Sequence, residues 1–71
     1  MLSFEIAKLD EIAVHFNQAG LAALMRTLAK LNDRSDGAAI VLEIAKGDCP
    51  LSANTPFGED AVQRVILSRH R

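Results

Sequence analysis

Hydrophobic positions near the start of the chain alternate with polar or small ones. Leu2, Phe4 and Ile6 are interleaved with Ser3, Glu5 and Ala7, and Ile12, Val14 and Phe16 with Ala13 and His15. A period of two is that of a strand with one covered face, so the two runs predict an antiparallel hairpin across the polar break at Leu9-Asp10-Glu11. Their six large apolar side chains share a face only if the turn keeps register, since a slip of one residue moves a whole set into water. The period then changes. Leu21, Leu24, Met25, Leu28 and Leu31 recur at three and four, predicting an amphipathic helix from about Gln18 to Leu31 with Arg26, Thr27 and Lys30 largely on the opposite side. Asn17 is a suitable N-cap, and Lys30 suits the negative end of the helix dipole.

Asn32-Asp33-Arg34-Ser35-Asp36-Gly37 is rich in turn formers and ends the helix. Ala38 to Ala45 reads as a strand, with Ile40, Leu42 and Ile44 on one face and Val41 and Glu43 on the other. Lys46 to Asp60 contains Gly47, Pro50, Pro56 and Gly58 and is expected to be a long irregular connection with a short paired piece at Leu51-Ser52. Ala61 to Arg69 carries Val62, Val65, Ile66 and Leu67 and reads as a last strand, with a helix starting at Glu59-Asp60 as the rival. The order ββαββ predicts a single α+β domain over residues 1–71, in which one amphipathic helix packs on a four-stranded, mostly antiparallel sheet in two layers. One helix covers one face of such a sheet. The other face would show Val41 and either Val65 or Ile66, and a homodimer through that face or an edge strand is expected.

Size limits the chemistry. A chain of 71 residues typically buries only about 60% of the surface its unfolded form exposes, so a large enzyme core is excluded. The composition, 49% hydrophobic and 24% charged, is that of a folding domain and not of a disordered one. No basic and apolar leader and no membrane-length apolar run is visible, so a cytoplasmic protein with no membrane partner is expected. Charge is uneven along the chain. Residues 31–60 hold six acids against two bases, and residues 61–71 hold Arg64, Arg69 and Arg71 with no acid. An acidic centre steers basic partners.

Specific catalytic or ligand motifs are absent. Cys49 as a nucleophile needs a positioned base, His15 or His70, and reads better as a small buried residue. Two histidines and one cysteine lack the local spacing of a zinc site, and no metal or other cofactor is expected. His15, between Val14 and Phe16, reads as an exposed or hydrogen-bonded imidazole on the polar side of its strand. Gly37, Gly47 and Gly58 form no phosphate-binding pattern. The basic tail lacks interleaved aromatics on a chain of net charge −1, so no nucleic-acid partner is expected.

Across nearly the whole chain, the hairpin, the helix Gly20-Leu21-x-x-Leu24-x-x-x-Leu28-x-x-Leu31, the following strand, Leu51-Ser52, the turn at Gly58-Glu59 and a last strand with basic residues resemble the immunity protein 32 family of bacterial polymorphic toxin systems. The sequence departs from that family where a glycine- and tryptophan-containing stretch before Leu-Ser is replaced by Gly47-Asp48-Cys49-Pro50. The resemblance implies a non-enzymatic cytoplasmic protein that neutralises a cognate toxin by binding its catalytic domain. Asp33, Asp36, Asp48, Glu59 and Asp60 are then the expected contacts with a basic partner. The alternative is a structural or regulatory homodimerisation module.

Overall fold

The computed structural model describes all 71 residues. Strands β1 (Leu2–Lys8) and β2 (Glu11–Phe16) form the N-terminal hairpin, α1 (Gln18–Asn32) follows, and β3 (Ala39–Glu43), β4 (Asp60–Ala61) and β5 (Arg64–Ser68) complete the chain. The hairpin has the expected register: Leu2 lies opposite Phe16, Phe4 opposite Val14 and Ile6 opposite Ile12, with an irregularity between Ile6 and Lys8. Asn17 caps α1, its side chain accepting from the Gly20 amide.

The sheet differs from the expected single four-stranded one. There are two, a three-stranded sheet in the order β2-β1-β4 and a two-stranded sheet of β3 with β5. The expected last strand over 61–69 is strand and not helix, but it is divided between the two sheets. Asp60 and Ala61 pair with Ile6 and Glu5 of β1, and the Val62 amide makes one more bond to Phe4 O at 2.7 Å. The chain then steps across to β3, where Glu43 lies opposite Arg64 and Ala39 opposite Ser68. Leu51-Ser52 is a second tie between the sheets, as a short paired piece should be: Leu51 bridges Ile44 in parallel, and the Ser52 amide donates to Leu2 O at 2.6 Å.

The core forms where these ties converge. Leu2, Leu42, Cys49 and Leu51 are buried together, with Phe4, Ala23, Leu24, Ile40, Ile44, Val65 and Leu67 packed around them. Cys49 is thus a core side chain and a free thiol. The helix meets the core through only part of the expected leucine stripe, Leu24 and Leu31, and Thr27, expected on the opposite side, is turned inward with them. Gly20, Thr27 and Leu31 are buried, whereas Leu21, Met25 and Leu28 are exposed. The reason is the close approach at Gly20, where any Cβ would collide with the Met1 backbone. That contact turns the Gly20, Ala23, Leu24, Thr27 and Leu31 side of α1 inward and leaves Leu21, Met25 and Leu28 on the flank. Thr27 meets the cost of burying a hydroxyl by donating to Ala23 O at 2.9 Å.

Candidate functional site

The hairpin's two faces carry the less expected result. Its polar face is the buried one at the Ser3 and Glu5 positions, both 0% exposed, because the irregular segment from Ser52 to Glu59 folds over it. The Glu5 carboxylate organises that segment. Its Oε2 accepts from the Glu59 amide at 2.6 Å and its Oε1 from the Phe57 amide at 3.3 Å. His15, opposite Glu5 on the neighbouring strand, reaches Oε1 through Nε2 at 2.9 Å. Since an ionised carboxylate only accepts, Nε2 is the donor. The His15 ring stands edge-on to Phe57, with centroids 4.7 Å apart and an interplanar angle of 87°.

Burial pushes the Glu5 carboxyl up, but the Glu59 and Phe57 amides and the His15 imidazole outweigh it and hold the carboxyl below its ordinary value. Nothing in the sequence distinguishes Glu5, because a glutamate in an alternating strand reads as a solvent-facing residue. Only the segment more than fifty positions away makes it an anchor. Fully buried, the carboxylate ties β2 and the irregular segment to β1 through His15, Phe57 and Glu59. His15 has the hydrogen-bonded setting expected of it.

The other face of the hairpin is apolar and only partly covered. Leu2 and Phe4 join the core, but Ile12 is 63%, Val14 43% and Phe16 50% exposed. The backbone of the same three residues is also free. The Asn17 amide donates to Met1 O, whereas Leu2 O and Phe4 O accept from Ser52 and Val62 on the far side of β1. Bonded and non-bonded pairs alternate in an antiparallel ladder. Ser3/His15 and Glu5/Ala13 are therefore the bonded pairs, and Ile12, Val14 and Phe16 direct their N–H and C=O groups away from β1. No strand lies beyond β2. On the helix, Leu21, Met25 and Leu28 add a second uncovered apolar strip.

The five acidic residues singled out in the sequence lie on separate elements. Asp33 is the C-cap of α1 and Asp36 sits in the next turn, where its carboxylate meets the Arg69 guanidinium. Asp48 lies 3.6 Å from Lys30 Nζ across the groove between α1 and β3, an exposed pair of little energetic weight. Glu59 and Asp60 lie where the irregular segment joins β4 alongside β1. Asp33, Glu59 and Asp60 are exposed and take part in no side-chain ion pair.

No three His, Cys, Asp or Glu side chains gather as a metal site, and no helix is long and apolar enough to cross a membrane. Comparison of the chain with family models, with curated proteins and with solved structures gave no match.

Proposed function

We propose that this chain is a small non-enzymatic binding protein of the immunity type, which neutralises a cognate toxin by occupying its catalytic domain. The observation that carries the association reading is the uncovered apolar surface of Ile12, Val14, Phe16, Leu21, Met25 and Leu28. A domain with so few buried residues, nine of 71, gains much of its missing apolar burial from a partner. The unpaired carboxylates of Asp33, Glu59 and Asp60 support a basic partner, with Asp36 and Asp48 available only by exchanging their internal cations. The toxin-directed role follows from the resemblance of the chain to the immunity protein 32 pattern.

A second reading, a structural or regulatory homodimerisation module, is favoured by the free edge of β2. The two readings differ in what the acidic residues do. Titration calorimetry with the catalytic domain of a toxin encoded beside this chain's own gene tests the first. The expected result is binding that inhibits the toxin and weakens strongly between about 0.05 and 0.5 M salt, with D33N, E59Q and D60N each reducing affinity. An absence of heat and of inhibition at about 100 µM of either protein overturns the toxin-directed reading.

A further inference from the structure

The free edge of β2 has a specific occupant. We propose that a second copy of this chain pairs its own β2 antiparallel to this one, about a two-fold axis at Val14, so that the two three-stranded sheets become one continuous sheet. The inference rests on the association reading above and names the partner at this edge, leaving the acidic loops free for another protein.

Four observations lead to it. An edge strand is ordinarily guarded by a charge, a proline or a bulge. Between Ile12 and Phe16 β2 has no proline and no bulge, its one titratable side chain, His15, is turned onto Glu5 of β1, and the one irregularity of the hairpin lies in β1 between Ile6 and Lys8. The strand therefore offers free backbone groups and exposed apolar side chains at the same three residues.

Self-pairing also has one best register. Outward-directed residues must face one another to bond, so Ile12, Val14 and Phe16 must oppose members of the same set. With Val14 opposite itself, Ile12 faces Phe16 in both directions, and all three residues of each strand are bonded. Sliding two residues one way puts Asp10 of the turn opposite Phe16, and sliding the other way runs into Gln18 of α1. The central register also joins the apolar side chains of both copies on one face, with an aromatic residue beside a β-branched one.

Charge agrees with this arrangement. In the same register Glu11 lies opposite Asn17 of the second copy, the N-cap of α1. That helix has no acidic residue in its own first turn, so a carboxylate supplied across the two-fold axis complements the positive end of its dipole, once in each direction.

Finally, the chain exposes more surface than its mass alone accounts for. A monomer of this mass exposes about 4,300 Å² on average, whereas this chain exposes 4987 Å². The excess of roughly 650 Å² approaches the ~800 Å² that each partner contributes to a standard interface.

The test is light scattering between about 5 and 500 µM on the full chain and two variants, V14K and V14E. Val14 is exposed, so both variants should retain the far-ultraviolet circular dichroism of the parent. The parent is expected at about 15 kDa, twice its mass of 7.7 kDa. Each variant alone, placing like charges at the axis, is expected at about 8 kDa, and an equimolar mixture should return to about 15 kDa.

Hydrogen exchange on the unmodified parent gives a readout independent of folding in the variants. The Ile12, Val14 and Phe16 amides should be protected when the protein is concentrated and exchange fast on dilution. A parent that stays near 8 kDa throughout overturns the proposal while leaving toxin binding open. A dimeric parent whose three amides exchange freely, or folded variants that stay dimeric separately, place the dimer on another face and overturn it too.

Discussion

Gly20→Ala reverses the usual helix rule. Glycine in a helix costs up to about 1 kcal/mol relative to alanine, so propensity alone predicts a stabilised protein. In the structure the added Cβ would fall well inside contact distance of the Met1 carbonyl and 3.0 Å from the Leu2 nitrogen. These are backbone atoms with no rotamer to change, so α1 and β1 must separate by on the order of 1 Å. Met1 O also accepts the Asn17 amide at 3.0 Å, and Leu2 next to it is a core residue. Overpacking costs about 1–3 kcal/mol and the strained hydrogen bond about 1 more. Against the propensity gain, the net is a loss of about 1–3 kcal/mol. For a domain of this size each kcal/mol lowers Tm by about 4–8 °C, so calorimetry on G20A should show a fall of at least several degrees. Ala22→Gly, at an exposed position of the same helix, should cost about 1 kcal/mol by propensity alone. An unchanged or raised Tm for G20A would refute the claim that close approach at Gly20 sets the docking of the helix.

Three further outcomes can be checked by urea unfolding. Ala45 holds φ +56°, a conformation that costs a non-glycine residue about 1 kcal/mol or more, so Ala45→Gly should raise stability by up to that amount, provided its amide bond to Leu51 O persists. Ser3 Oγ is buried without a partner, so Ser3→Ala should be neutral or stabilising by about 1 kcal/mol, and a loss beyond that would mean that the hydroxyl is bonded after all. Glu5 is held below its ordinary value in the folded chain, so its contribution is complete above the unfolded value of about 4.3 and disappears as pH falls through the lower folded value. Glu5→Gln should therefore lower the urea midpoint at neutral pH and flatten its decline below about pH 4, and a variant as stable as the parent at pH 7 would contradict the anchoring role.

Much of this architecture was legible in residue order because it depends on local periodicity. The alternation of Leu2, Phe4 and Ile6 with that of Ile12, Val14 and Phe16 pointed to the hairpin and to the face its six apolar residues share, and Asn17 with the three-and-four spacing that follows pointed to the helix and its start. The strand character of Val65-Ile66-Leu67 was legible from its run of apolar, largely β-branched residues. Which faces become interior was not, because burial depends on what distant segments cover. A leucine stripe says that a helix has an apolar side, but the fit of Gly20 against Met1 turns Leu21, Met25 and Leu28 outward. An alternating strand says that Ser3 and Glu5 share a face, but only the return of the chain from Ser52 to Glu59 makes that face an interior with Glu5 as its anchor. The division of the last strand likewise lies in tertiary geometry. Residues 60–68 pair first with β1 and then with β3, and no local pattern of hydrophobicity marks the step. The free edge of β2 joins the two levels: sequence puts Ile12, Val14 and Phe16 on one side of a strand, and the topology, with β4 and Ser52 on the far side of β1, leaves their backbone without a partner.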